Sequence, residues 1–210
     1  MTNDPADAAK HQAKRGARKF YKMSPDFGLN GAAGFEVQNL AVLLQGRRVL
    51  VPPPGRQGFP DYPEPPCVLI NTKLGRPPLD LEEYHAYWLI SDRAKSVFET
   101  VDPCGFTFVR CETRLVDGSP GPGYWLCDVV RVLDAVDEAA SRMKIDYRYG
   151  VKMYDLMGRA NLVFKEDVVG RSHVFRLAHL EPAVVCDQHL KDACEAAALN
   201  GLTFRDMSNY

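Results

Sequence analysis

The sequence predicts an α+β fold, a single domain in which a mainly antiparallel sheet packs against a few helices. Short runs rich in aromatic and β-branched residues recur between turn signals, as expected for strands. Clear amphipathic helical patterns begin near Ser91 and near Asp187. Because strands and helices do not alternate regularly, the order of elements disfavours a parallel sheet built from βαβ units.

The length and composition are those of a globular protein that folds without covalent crosslinks. The chain has 210 residues, of which 46% are apolar and 25% are charged, and its formal net charge is -1. At this size about 70% of the surface of the unfolded chain is buried on folding, which is enough for a stable core. The near-zero net charge provides no global attraction to nucleic acid or to an anionic membrane.

The cysteines and the hydropathy pattern indicate a cytoplasmic protein. The spacing of the six cysteines is uneven, and three of them lie within apolar strand-like runs, so we expect all six to be reduced. They are Cys67, Cys104, Cys111, Cys127, Cys186 and Cys194. No apolar run approaches the roughly 20 residues that span a bilayer. The N-terminal segment has no secretory apolar region, so we expect no membrane partner.

The first residues differ in character from the rest of the chain. Residues 1–18 are polar, rich in alanine and without periodicity, which predicts a flexible basic tail. A basic arm that binds nucleic acid is the alternative, but its cations are not interleaved with aromatic residues. The folded domain is therefore expected to comprise residues 19–210. It begins with a strand at residues 19–23, followed by a glycine-punctuated loop.

A proline-rich stretch between residues 52 and 66 follows the N-terminal part of the chain. Proline lacks a backbone N–H and favours extended geometry, so this stretch is excluded from the interior of a sheet or helix. It is either a simple connection or a pre-extended surface that offers aromatic side chains to a partner at low entropic cost. In the second case Phe59 and Tyr62 anchor the interface and Arg56 is a polar contact.

Two helices are predicted from their capping residues and apolar faces. Ser91 is a suitable N-cap, and the apolar residues at 94, 97, 98 and 101 share one face before Asp102 and Pro103 end the helix. Asp187 caps a second helix, which stops at Asn200-Gly201 before a closing strand.

Between these helices the sequence predicts an antiparallel hairpin formed by residues 105–115 and 124–133. Strand alternation places Arg110, Glu112 and Arg114 together on a face that meets solvent or a partner. Trp88 and Trp125 lie in apolar runs and are expected in the core. Beyond the hairpin we expect a short helical turn and then three short strands. The turn is at residues 134–141, and the strands are at residues 147–154, 161–165 and 173–177.

No set of residues forms a recognisable catalytic or metal-binding motif. The nearest approach to a zinc site is Cys186, His189 and Cys194, but on a helix that begins at Asp187 the last two point about 140° apart. There is no Gly-x-Ser-x-Gly turn, and the isolated histidines lie among ordinary strand or helix residues. We therefore predict no catalytic residue, no cofactor and no metal ion.

The order of the predicted helix and strands from Trp88 to Ser141 resembles that of the MXAN-type immunity-protein family. The members of this family are small bacterial proteins predicted to neutralise the toxins of contact-dependent competition systems. The similarity is strongest over residues 84–210. It is carried by a strand that begins at Tyr124 and leads into an Asp-rich turn, and by a C-terminal helix that stops at Gly201 before a final strand. The proline-rich stretch and the N-terminus depart from the family's pattern.

The resemblance implies a protein that binds a cognate toxin and neutralises it by stoichiometric occupancy. Protection at low cellular concentrations requires a dissociation constant near or below nanomolar, about -12 kcal/mol. The alternative is an enzyme, such as a small hydrolase that reverses a toxin's modification. A neighbouring gene whose product ends in a toxin domain would favour the binder, whereas a metabolic operon would favour the enzyme.

Overall fold

The computed structural model describes residues 18–28, 31–44 and 57–210. Strands predominate in this part of the chain. They are β1 (Phe20–Pro25), β2 (Phe35–Val37), β3 (Cys67–Ile70), β4 (Leu81–Tyr84), β5 (Tyr87–Ser91), β6 (Phe106–Arg110), β7 (Glu112–Leu115), β8 (Tyr124–Val129), β9 (Val132–Leu133), β10 (Lys144–Arg148), β11 (Val151–Asp155), β12 (Val174–Leu177), β13 (Leu180–Asp187) and β14 (Leu202–Asp206). The helices are α1 (Leu40–Leu44), α2 (Asp92–Val101), α3 (Glu166–Val169) and α4 (Gln188–Ala196), and a 3-10 turn covers Met207–Asn209. This content is compatible with the predicted α+β class.

The described strands form three sheets and one separate hairpin. The large sheet has the order β14-β1-β13-β12-β9, the central sheet β4-β5-β8-β6 and the small sheet β2-β3-β7. Strands β10 and β11 form a two-stranded sheet of their own. Pairing is antiparallel throughout, except between β9 and β12 and between β3 and β7. The prediction of mainly antiparallel structure is therefore confirmed.

Three apolar clusters lie between successive layers of the fold. The first fills the space between the large sheet, the central sheet and helices α2 and α4, where Met23, Ile90 and Phe98 are buried. The second covers the opposite face of the large sheet, beneath β11 and residues 156–169. The third lies between the central sheet and the small sheet. Both larger sheets therefore have apolar side chains packed on each of their two faces.

The two predicted helices begin at the residues that the sequence indicates. The Ser91 side chain accepts a hydrogen bond from the backbone N–H of Ala94 at the start of α2. The Asp187 side chain accepts one from the backbone N–H of Leu190 at the start of α4. These caps satisfy N–H groups that lack a partner within the helix. Helix α2 ends at Val101, as predicted.

Helix α4 ends before the predicted Asn200-Gly201 stop. Ala198 adopts a left-handed φ of 48°. Its N–H donates to the Glu195 carbonyl at 2.9 Å, and the N–H of Leu199 donates to the Cys194 carbonyl at 3.1 Å. These two bonds define a Schellman ending, in which glycine usually occupies the left-handed position. Here alanine takes that position, which explains why the glycine rule misplaced the helix end.

The predicted hairpin is present, but both of its strands are divided between sheets. Strand β6 pairs antiparallel with β8, which confirms its centre. The chain leaves the central sheet at Cys111, so that β7 pairs parallel with β3 in the small sheet. Similarly, β9 joins the large sheet beside β12. The prediction of a continuous hairpin over 105–115 and 124–133 is therefore wrong at the ends of its strands, because those ends pair in other sheets and connect the layers.

Three further expectations for the middle of the chain need correction. Residues 134–141 form no helix; Asp137 instead accepts hydrogen bonds from the N–H groups that follow it in a short turn. Residues 147–154 reverse direction at Tyr149-Gly150, where both φ angles are positive (53° and 79°), and contribute to two strands. Residues 161–165 make isolated bridges rather than a strand. The longest strand, β13, was not predicted.

The predicted basic tail, residues 1–18, lies outside the described residues apart from Arg18. The Arg18 guanidinium donates to the carbonyls of Gly170 and Ser172, both at 2.7 Å. It also pairs with the Asp187 carboxylate at 2.8 Å. Arg18 thus links the start of β1 to the residues that follow α3 and to the cap of α4.

Candidate partner-binding surfaces

The sequence-predicted interface residues fall into two neighbouring groups in the fold. Phe59 and Tyr62 lie in residues 57–66, which contain no helix or strand, as the prolines predicted. Arg110, Glu112 and Arg114 lie at the junction of β6 and β7. The groups meet because the Glu112 N–H donates to the Pro66 carbonyl at 2.8 Å. Arg56 lies outside the described residues.

Phe59 and Tyr62 take part in packing and are each half-buried. The Phe59 ring packs against the third apolar cluster, with its centroid 4.5 Å from that of Tyr87 and 6.3 Å from that of Tyr62. Burial, with a smaller effect of Cys111, raises the pKa of Tyr62. These aromatic side chains therefore stabilise the fold at this position, and their role as interface anchors stays a prediction.

Arg110, Glu112 and Arg114 are all exposed, as strand alternation predicted. The intervening residues point inward, and Cys111 is only 6% exposed. A single contact of 3.1 Å joins the Arg114 guanidinium to the Glu112 carboxylate. Salt bridges at such exposed positions contribute little to stability, so these charges are available to a partner at little cost.

Trp125 extends this surface onto the central sheet. It lies opposite Arg110 in the register of β6 and β8. Its indole N–H donates to the Asp92 carboxylate at 2.6 Å. The Lys95 ammonium lies 4.8 Å from the ring, and the Arg110 guanidinium 5.8 Å from it. Tryptophan and arginine side chains that lie together in this way are typical of the residues that dominate binding energy at protein interfaces.

The two tryptophans differ in burial, although both were expected in the core. Trp88 is 8% exposed and belongs to the first apolar cluster, which confirms that expectation. Trp125 is only partly buried and packs against the edge of the same cluster. It therefore combines a core contact with an accessible ring.

A second surface, which sequence reasoning missed, is formed by hairpin β10–β11 and the loop that follows it. Five large apolar side chains are exposed there. They are Tyr147, Tyr149, Val151, Met153 and Met157. The sequence feature that indicates the turn of this hairpin is the Tyr149-Gly150 dipeptide, since glycine suits the left-handed geometry of a two-residue turn. Because residues 147–154 were predicted to form one strand, neither the turn nor the exposed surface was predicted.

Four of the six thiols are buried, whereas Cys104 is exposed and Cys67 is partly buried. All six cysteines are free. Burial raises the pKa of Cys111 and of Cys194 to about 12, so both thiols are protonated at neutral pH. His173 Nδ1 lies 2.9 Å from the Asp187 carboxylate that caps α4. Within the described ranges, no group of three or more His, Cys, Asp or Glu side chains is arranged to hold a metal ion.

Comparison with known families identifies the class as that of the immunity proteins. The chain belongs to the Immunity protein family (Imm11), whose model matches residues 19–209. The match confirms the resemblance seen in residues 84–210 and extends it through the proline-rich stretch to β1. No curated protein matches this chain. Among the described residues, no helix is both long and apolar enough to cross a membrane.

Proposed function

We propose that this protein neutralises a cognate bacterial toxin by forming a stoichiometric complex with it in the cytoplasm. The observation that carries the proposal is the family match, which extends over residues 19–209. Membership of an immunity family implies a toxin partner. Occupancy is the simplest mode of protection for such a protein, because one tight complex removes one toxin molecule from action.

The environment of two buried thiols and of His173 supports occupancy over turnover. The buried thiols of Cys111 and Cys194 have a raised pKa and therefore lack thiolate character at neutral pH. The His173 ring is engaged by the same carboxylate that binds Arg18 and caps a helix. These groups are committed to holding the fold together, which favours the binder over the hydrolase alternative.

The proposed toxin contact includes the surface of Arg110, Glu112, Arg114 and Trp125, with Phe59 and Tyr62 at its margin. Arginine and tryptophan are the residue types that most often dominate binding energy at interfaces. Trp125 is held by its hydrogen bond to Asp92, so little side-chain entropy is lost when a partner covers it.

Stoichiometry is the first test of the proposed function. The toxin encoded beside this gene is assayed while the purified protein is added in increasing amounts. We expect inhibition to increase linearly and to saturate near one equivalent, because each toxin molecule must be occupied. Complete inhibition at far below one equivalent would falsify occupancy and favour an enzyme that modifies the toxin.

The second test replaces the two exposed arginines in the Arg110→Glu/Arg114→Glu variant. We expect toxin affinity to fall by at least about tenfold, since charge reversal opposes a complementary partner surface. The unfolding midpoint should change little, because neither arginine is buried. Calorimetry measures affinity and circular dichroism measures the midpoint. Unchanged affinity would exclude this surface from the complex.

A further inference from the structure

An open cleft lies between the outer face of the large sheet and hairpin β10–β11. Its volume is about 580 Å³. Lys22 of β1, Arg205 of β14 and Tyr210 line the side formed by the large sheet. Arg148 and Met153 line the side formed by the hairpin, together with two carboxylates, Asp146 and Asp155, which lie 3.8 Å from Arg148 and 3.7 Å from Lys144. The cleft is thus distinct from the surface around Trp125.

Two cations face each other directly across adjacent strands in this cleft. Lys22 is the register partner of Arg205 in the antiparallel pairing of β1 with β14. Their chain neighbours Met23 and Phe204 point into the first apolar cluster, so the two cations share the opposite face of the sheet. Like charges directly opposite one another destabilise an antiparallel pair. The repulsion between the two cations therefore opposes folding rather than stabilising it.

Tyr210 holds both cations in position without neutralising them. The Lys22 ammonium donates to the Tyr210 hydroxyl at 3.0 Å, and the Arg205 guanidinium lies 3.9 Å from the ring centroid. Tyr210 is itself fixed by two backbone hydrogen bonds with Ala160, of 2.9 and 3.2 Å. Two positive charges are therefore preorganised side by side, which lowers the entropic cost of binding an anion.

The hairpin supplies a third cation and an adaptable apolar rim. The Arg148 side chain is 70% exposed and forms a loose ion pair with the Asp146 carboxylate at 3.8 Å. Met153 and Met157 are exposed beside it, and thioether side chains adapt to irregular partner surfaces. At the tip, Tyr149 is fully exposed in a left-handed conformation that bulky residues rarely adopt.

We infer that this cleft binds an acidic segment of the toxin, as a second contact of the complex; the inference rests on the function proposed above. Toxin carboxylates fit between Lys22 and Arg205, and Arg148 approaches them from the hairpin. Charge-assisted hydrogen bonds of this kind are stronger than neutral ones. An uncompensated pair of cations selects an acidic partner segment and disfavours a basic one. The rim methionines and Tyr149 contact the apolar residues that flank those carboxylates.

The test compares two variants of the full-length protein that each lose two positive charges. Lys22→Gln/Arg205→Gln removes the facing cations, and Lys73→Gln/Arg171→Gln removes two exposed cations elsewhere. Binding of the neighbour-encoded toxin is measured by calorimetry at low and high salt. We expect the cleft variant to bind at least about tenfold more weakly and with a smaller salt dependence. The control variant should bind within about twofold of the unaltered protein.

Unfolding midpoints distinguish a binding role from a structural one. The cleft variant relieves a like-charge pair but loses the contacts of both cations with Tyr210, so its midpoint should stay within about 3 °C of that of the unaltered protein. A larger decrease would make Lys22 and Arg205 structural and overturn the inference. The inference would also be overturned if the cleft variant bound the toxin as tightly as the unaltered protein does, or if both variants bound it equally weakly. Either result would leave the proposed function intact. If the unaltered protein does not bind the toxin, the proposed function fails, and the inference fails with it.

Discussion

At the residue scale, three carboxylates that are largely buried join the layers of this fold through arginine side chains. The pairs are Asp128–Arg176 at 2.7 Å, Asp102–Arg131 at 2.7 Å and Asp187–Arg18 at 2.8 Å. A carboxylate in such a place is tolerated only when it is paired and its remaining hydrogen bonds are satisfied. The Asp128–Arg176 pair meets that requirement, and it joins the central sheet to the large sheet.

Removing Asp128 should therefore be strongly destabilising. In the Asp128→Ala variant, Arg176 stays buried without its counter-charge, and the Gly58 N–H loses an acceptor at 2.6 Å. We expect the free energy of unfolding to fall by about 3–5 kcal/mol, measured by chemical denaturation. The matched control is Glu112→Ala, which breaks an exposed pair and should change stability little. Similar small losses in both variants would contradict this account.

At the scale of elements, the features predicted from sequence are those determined by local contacts. Ser91 and Asp187 cap their helices through residues three positions away, so the sequence alone contains both partners. Strand β13, which was missed, forms a local hairpin with β12, but its other partner, β1, comes from the opposite end of the chain, and the sequence does not show this long-range pairing. The break at Cys111 has the same origin, since it depends on β3 lying beside β7.

The end of α4 offers a test of local backbone strain. Ala198 has a φ of 48°, a conformation that costs a residue with a Cβ atom about 1 kcal/mol or more. Ala198→Gly should raise the free energy of unfolding by about 0.5–1 kcal/mol. The same change at Ala193, in the interior of the helix, should lower it by at least roughly 0.5–1 kcal/mol. Denaturant midpoints that move in the same direction for both variants would rule out this explanation.

At the scale of the whole molecule, the two proposed contacts differ in how much of each could be predicted. Arg110, Glu112 and Arg114 are close in sequence, and strand alternation alone places them on one exposed face. Lys22 and Arg205 come from opposite ends of the chain and meet only because β1 pairs with β14. A surface formed by one short stretch of sequence can thus be predicted from the sequence, whereas a cleft between distant elements requires the fold.

The same long-range ion pairs make the whole molecule sensitive to acid. Burial alone would raise the pKa of Asp102 and of Asp187, but hydrogen bonds to each carboxylate outweigh it and leave both pKa values below the ordinary range. Arg131 and the His173 backbone N–H lower the pKa of Asp102. Arg18 provides the largest of the hydrogen-bond effects on Asp187. Both carboxylates are therefore more acidic in the folded chain than in the unfolded one.

Stability should consequently fall in acid as these two carboxylates become protonated. Their contribution is fully present above the unfolded pKa of about 3.9 and is lost as the pH falls through the lower folded values. We expect urea midpoints to decrease steeply below about pH 4. Asp187→Asn should lower the midpoint at pH 7 and flatten its acid dependence, because the amide cannot titrate and its interaction with Arg18 is weaker. An acid dependence as steep as that of the unaltered protein would show that Asp187 is not among the groups responsible.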